Sequence, residues 1–210
     1  MDATQDVHHR ENAVSPDYDV VVVGAGFAGL YSLYRLREMG LSVKVIEKAD
    51  DVGGTWYHNR YPGCRCDTES HVYCYSFSEE LLNDWEYSER YPQQEEILEY
   101  FRHVADRFDL RKDIEFETEV QSATFDEDTG YWRVETDTDA GVSTRHLILA
   151  VGPLSDPFVP DFDGIDSFEG ETYHTATWPH DPVDFEGKSV GIIGTGSTGA
   201  QAIPRIAERA

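Results

Sequence analysis

Gly24-Ala25-Gly26-Phe27-Ala28-Gly29 and Gly194-Thr195-Gly196-Ser197-Thr198-Gly199 are the residues whose spacing points most directly to chemistry. Each follows a short apolar run and opens a plausible helix. In a G-x-G-x-x-G turn every glycine removes a Cβ. The first permits the tight turn, the second lets backbone approach a pyrophosphate, and the third lets helix and strand pack closely. The phosphates then lie at a helix N-terminus, where unpaired N–H groups and the dipole favour anions. Glu47 follows Gly29 by 18 residues, at the end of the next apolar run. A carboxylate there accepts hydrogen bonds from a ribose; a solvated glutamate beside Lys48 is the weaker alternative. The second motif ends before any residue that separates NADH from NADPH, and a bare strand-to-helix turn competes with it. Two such units suggest two nucleotide cofactors, one delivering electrons and one accepting them.

Between the motifs lies Gly53-Gly54-Thr55-Trp56-Tyr57-His58-Asn59-Arg60-Tyr61-Pro62-Gly63-Cys64-Arg65-Cys66-Asp67. Glycines beside aromatics suit a flat ring system approached by backbone, and an isoalloxazine fits that description. A packed Ω-loop is the plainer alternative. The three cysteines, Cys64, Cys66 and Cys74, match no closed zinc pattern, and the histidines add no ligand spacing, so no metal is expected. An odd cysteine count argues against a disulfide scaffold.

Acids outnumber bases 41 to 17, for a net charge of −24, and Lys44, Lys48, Lys112 and Lys188 are the only lysines. Such a surface repels nucleic acid and anionic membranes. Acids spread along the chain with so little lysine point to adaptation to molar salt, where their repulsion is screened; an ordinary acidic protein is the alternative. Met1 to Pro16 lacks the apolar core of a signal peptide, and the runs Val20 to Val23 and Leu147 to Val151 are too short to span a bilayer. A soluble, cytoplasmic protein is expected.

The elements that must hold these residues read as α/β. Residues 1–16 are expected to be a flexible tail. Tyr18 to Val23 predicts a buried parallel strand, Phe27 to Met39 a helix capped near Gly40, and Ser42 to Ile46 a second strand. Asp50 to Phe77 predicts a long functional loop, and Gln94 to Phe108 a helix. Strands are expected over Ile114 to Ala123, Tyr131 to Glu135 and Ser143 to Ala150, with a turn at Asp126 to Gly130. Pro153 to Pro182 reads as a proline-rich connector. Ser189 to Ile193 predicts a strand, and Gly199 to Arg209 a helix.

Phe168-Glu169-Gly170-Glu171-Thr172-Tyr173-His174-Thr175-Ala176-Thr177-Trp178-Pro179 fits the pattern F-x-G-x-x-x-H-x-x-x-W-P and lies between the two glycine motifs. With the loop Gly53 to Ser70, it makes residues 17–210 resemble the N-terminal part of a type I Baeyer–Villiger monooxygenase, within the flavin-containing monooxygenase superfamily. The resemblance implies a flavoprotein with two dinucleotide-binding, Rossmann-like domains, the second truncated here. Its divisions would be an FAD-binding part at 17–152, a linker at 153–187 and the start of an NADP-binding domain at 188–210.

FAD would lie on Gly24, Gly26, Phe27 and Gly29 with its ribose on Glu47, its flavin near Gly54, Thr55, Trp56 and Tyr73, and its adenine near Val120. NADPH would lie over Gly194, Thr195, Gly196, Ser197, Thr198, Gly199, Ala200 and Gln201, its nicotinamide end approaching Arg65, Cys66 and Asp67. Phe168, Gly170, His174 and Trp178 would couple domain motion to turnover. The implied reaction turns a ketone and O2 into an ester or lactone through a flavin peroxide. Asp67 would take a catalytic part by holding an arginine that lies beyond residue 210. An N- or S-oxidising monooxygenase and a non-catalytic FAD-binding fragment are the alternatives. His58, Cys64 and Val151 depart from the family's usual residues. A chain ending at Ala210 without a returning strand is expected to be marginal alone, and completed by a second polypeptide.

Overall fold

The computed structural model describes residues 15–138 and 141–210, so the tail expected over 1–16 lies, but for Ser15 and Pro16, outside the described residues. The elements run β1 (Tyr18–Val23), α1 (Phe27–Glu38), β2 (Val43–Ile46), α2 (Thr55–His58), α3 (Glu79–Asp84), α4 (Gln94–Arg107), β3 (Ile114–Glu115), β4 (Val120–Asp126), β5 (Tyr131–Thr136), β6 (Val142–Leu149) and α5 (Ser197–Ala207). The strands form one six-stranded sheet in the order β3-β2-β1-β6-β5-β4. It is parallel from β3 to β6, and antiparallel through β5 and β4. A parallel pair needs a crossover, and α1 supplies it between β1 and β2. The valines of β1 put it at the centre: Val20, Val21 and Val22 are buried between two faces.

One face carries the main core. Leu30 and Leu33 of α1 and Ile97, Tyr100, Phe101 and Val104 of α4 pack there with Val20, Val22 and Val45. Aromatic rings extend it outward. Phe27 lies 4.5 Å from Tyr75 and 5.4 Å from Phe101, and Tyr34 stacks on Phe77 at 4.1 Å. The Tyr75 hydroxyl donates to the Phe27 carbonyl, and the Tyr75 N–H donates to the Tyr100 hydroxyl. These two bonds tie the long loop to α1 and α4. The other face holds a smaller cluster of Val21, Ile46 and Val134.

Five points of the sequence reading need correction. The run Ile114 to Ala123 is two strands, because Glu117 (φ 53°) turns the chain. The Glu117 and Thr118 N–H groups donate to Ala49 and Glu47, wrapping that turn round the end of β2. The segment after Asp50 is not all loop, since it contains α2 and a 3-10 turn at Ser70–Val72. Helix α3 has no counterpart in the sequence reading; the Ser78 hydroxyl caps it by accepting from the Leu81 N–H. Ser189 to Ile193 forms no strand. A strand needs a neighbour's N–H and C=O groups; none pairs with it among the described residues, and Ile193 is 81% exposed. Helix α5 begins and ends two residues before the expected bounds. Between β6 and α5 the regular structure is limited to 3-10 turns at Ile165–Ser167 and Thr175–Thr177.

Candidate cofactor site

The first glycine motif forms the turn from β1 into α1. Gly24 adopts φ +100°, and a Cβ there would lie 2.7 Å from the Ala150 carbonyl oxygen. A Cβ on Gly29 would collide with the Gly24 carbonyl oxygen. The first and third glycines therefore let α1 sit against the strand ends. Gly26 caps α1 without a side-chain hydrogen bond, and no acid occupies the first turn. The same holds for α5 behind Gly196. The contrast with α3 and α4, which carry Glu79, Glu80 and Glu95, Glu96 in their first turns, is informative in a chain this acidic. The two glycine-turn helices leave unpaired N–H groups and a positive dipole end free for an external anion.

Gly54 faces the first turn. A Cβ on Gly54 would lie 2.9 Å from the Gly26 Cα, and the Gly53 N–H donates to Ala25 at 3.1 Å. Two backbone segments thus meet at the start of α1 with no side chain between them. Glu47 closes the site from the end of β2. It is only 5% exposed; one carboxylate oxygen accepts from the Ala25 N–H at 2.6 Å and the other from the Ala49 N–H at 2.9 Å. Sequence reasoning gave Glu47 a ribose alone; the structure adds that it anchors both turns. Val120 is not at the glycine turns. It starts β4, two residues after Thr118, and packs on the second cluster.

Around α2, Trp56 is buried, its indole N–H donates to the Tyr73 hydroxyl at 2.9 Å, and its carbonyl accepts from the Gln94 side chain. Burial pushes the Tyr73 hydroxyl up and the His58 imidazole down. Burial also pushes the Cys64 thiol up to about 11 and raises Cys66, so both stay protonated at neutral pH and make poor thiolate ligands. Among the described residues no three His, Cys, Asp or Glu side chains converge for a metal.

The second glycine motif repeats the contact of the first: a Cβ on Gly199 would lie 2.5 Å from the Gly194 carbonyl oxygen. The loop Tyr61 to Asp67 lies against the start of α5. The Tyr61 hydroxyl donates to the Gln201 side chain at 2.8 Å, and Ser197 Oγ lies 3.5 Å from the exposed Asp67 carboxylate. Arg65 pairs with Glu89 at 3.4 Å. Arg65, Cys66 and Asp67 are thereby brought to α5. Tyr61 and Gln94 are not singled out by sequence reasoning, because a tyrosine among glycines and a glutamine at a helix start carry no spacing signal. The linker residues interact locally. The exposed Phe168 ring lies over Gly170, and His174 Nδ1 accepts from the Ala176 N–H at 3.2 Å. Trp178 packs on the core between Tyr173 and Phe185.

A mixed sheet with a parallel core and two uncapped glycine-turn helices defines a dinucleotide-binding protein. More particularly, the chain belongs to the flavin-binding monooxygenase-like family, whose model matches residues 17–210. It is 52% identical over 191 residues to a Baeyer-Villiger monooxygenase of Pseudooceanicola batsensis, covering 90% of this chain and 35% of that protein. It is 49% identical over 187 residues to phenazine N-monooxygenase PhzNO1 of Lysobacter antibioticus, covering 89% of this chain and 34% of that protein. The crystal structure of OTEMO in complex with FAD and NADP matches at a TM-score of 0.88 and 48% identity, covering 93% of this chain and 38% of that one. The chain spans about a third of the length of the relatives it matches. Among the described residues no helix is long and apolar enough to cross a membrane.

Proposed function

We propose that this chain is the FAD-holding, NADPH-receiving part of a flavin-dependent monooxygenase of Baeyer–Villiger type, which inserts an oxygen of O2 beside a ketone carbonyl to give an ester or lactone. The observation that carries the reading is the uncapped start of α1, where the Gly26 and Gly54 turns meet without a side chain between them beside the buried Glu47 carboxylate. The unpaired N–H groups and dipole of this helix end suit the charge of a pyrophosphate, and the absence of side chains at both turns lets it approach the backbone. The remaining carboxylate lone pairs of Glu47 suit ribose hydroxyls. Kinship with flavin-binding proteins, and with one whose structure holds FAD and NADP, supports the same cofactors here.

In this reading residues 17–152 hold FAD, 153–187 link, and 188–210 open the nicotinamide unit. Bound FAD, once reduced by NADPH, supplies the two-electron chemistry that activates O2. Trp56, fixed by Tyr73 and Gln94, would stand beside the flavin. The α5 N-terminus receives the second pyrophosphate. Asp67, exposed beside Ser197, is the carboxylate available to orient a guanidinium supplied by the rest of such a protein. That remainder, in the same or a second polypeptide, is required for turnover. The linker pattern favours the ketone reading over N- or S-oxidation. The acidic surface suits a cytoplasm of high salt.

NADPH-dependent oxygen uptake and product analysis test the reading, using a cyclic ketone, a thioether and an aromatic N-heterocycle, with and without the remaining part supplied. Ester or lactone from the ketone, only when that part is present, is expected. Heteroatom oxides alone, or no product from either preparation, overturn it.

A further inference from the structure

We infer that Gln201 is a positioning residue: its carboxamide clasps the Arg65 backbone and sets the register of Arg65–Asp67 from the first turns of α5. The inference rests on the nicotinamide reading of α5 only for its functional consequence. Gln201 Oε1 accepts from the Tyr61 hydroxyl at 2.8 Å and from the Arg65 N–H at 3.3 Å, while Nε2 donates to the Arg65 carbonyl at 3.1 Å. A carboxamide carries two acceptor sites and two donors, so three of its four positions are used. The Arg65 N–H can only donate and its C=O can only accept, which fixes the amide orientation.

The backbone approach is equally close. Gly63 adopts φ +80°, and a Cβ there would lie 2.5 Å from the Gln201 carbonyl oxygen and 2.8 Å from the Arg205 side chain. On its other side the loop is held to the start of α4: Cys66 N–H donates to Pro92 and Gln94 N–H to Cys64, both at 2.9 Å. Two polar anchors therefore define the Arg65–Asp67 segment, one on each side. The α4 anchor is backbone to backbone and insensitive to side-chain identity. The α5 anchor rests on side chains, chiefly Gln201 on Arg65 and more loosely Ser197 on Asp67 at 3.5 Å, of a helix whose N-terminus suits an anion. A dinucleotide that shifts α5 would move Arg65 and Asp67 through Gln201, which couples cofactor arrival to the placing of the Asp67 carboxylate.

Backbone hydrogen exchange of the chain, for wild type, Gln201→Leu and Gln201→Glu, tests the clasp without any cofactor. Gln201→Leu keeps volume and removes all three bonds; Gln201→Glu keeps both acceptor contacts and loses the donor. Arg65 exchange is expected to rise roughly 3- to 10-fold in Gln201→Leu, the effect of one ordinary hydrogen bond, and less in Gln201→Glu. Exchange at Cys66, held by Pro92, is expected to stay within about 2-fold, as is that of the β1 amides, which separates the clasp from general loosening. Gly63→Ala is expected to raise Arg65 exchange by forcing the loop off α5. Unchanged Arg65 exchange in Gln201→Leu overturns the clasp, as does an equal rise across the sheet.

With NADP+ raised in each protein until Thr198–Ala200 exchange is slowed to the same extent, Arg65–Asp67 exchange is expected to slow in wild type and not in Gln201→Leu. Slowing at Arg65–Asp67 in Gln201→Leu as well overturns the coupling. Absence of any α5 response in wild type counts against the nicotinamide reading, and the clasp then stands or falls on the cofactor-free result.

Discussion

An ionised carboxylate offers about four acceptor sites, and Glu47 uses two of them on the Ala25 and Ala49 N–H groups, one in the first glycine turn and one just after β2. Replacing it with glutamine leaves one oxygen and turns an NH2 toward a backbone N–H. Glu47→Gln is expected to cost roughly 1–3 kcal/mol of stability, read by urea unfolding, and to weaken FAD binding by at least about tenfold, read by flavin fluorescence titration. Unchanged values would show that the carboxylate anchors neither turn nor ribose. At the same scale, burial keeps Cys64 and Cys66 protonated. Both are expected to resist iodoacetamide at neutral pH in the folded chain and to react after unfolding, as mass spectrometry of the labelled peptides reports. The sign for stability follows. Between about 9 and about 11 the folded chain keeps the Cys64 proton that the unfolded chain releases, so this thiol makes stability fall as pH rises through that window.

At the scale of elements, the linker is held to the sheet domain by Phe185, which is 6% exposed and part of the main core. Phe185→Ala is expected to cost about 3 kcal/mol, the usual effect of emptying a buried phenylalanine site, and calorimetry checks it. Asp51 ties α4 to the turn before β3. Burial disfavours its charged form, but hydrogen bonds from Arg111 and Arg102, at 2.8 and 2.7 Å, outweigh that and hold the carboxyl below its ordinary range. Its stabilisation is present above the ordinary carboxylate pKa and lost as pH falls through the depressed one. Asp51→Asn is therefore expected to unfold with a shallower acid limb, a difference visible by circular dichroism across a pH series. Elements whose pattern is local were legible in the sequence: the valine run of β1, the helix over Gln94 to Phe108 and both glycine turns are all readable from the residues they contain. The split of Ile114 to Ala123 was not, because it depends on how Glu117 and Thr118 bond to β2. Nor was the unformed strand at Ser189 to Ile193, since a strand exists only through its neighbours. The residue types of the candidate site could be read, but not the apposition of Gly26 to Gly54 or the Gln201 contact, which join segments far apart in the chain.

For the whole molecule, a net charge of −24 on 210 residues means that like charges crowd the surface despite ion pairs such as Lys44–Glu115 and Arg111–Asp51. Added salt screens that repulsion more than it weakens the few partly buried pairs. The unfolding midpoint is expected to rise by roughly 5 °C or more between 0.1 and 2 M KCl, measured by differential scanning fluorimetry. A midpoint that falls would remove the halophilic reading. The central claim is that the Gly26 and Gly54 turns and Glu47 form an FAD site, and flavin content tests it most directly. The chain is purified in molar salt, its visible spectrum recorded, and flavin quantified after denaturation, alongside Gly54→Val. The account predicts a flavin band with near-equimolar FAD in the wild type and none in a folded Gly54→Val, whose side chain would force the Gly54 turn off Gly26. A folded, colourless wild-type chain that stays without flavin when FAD is added would contradict it.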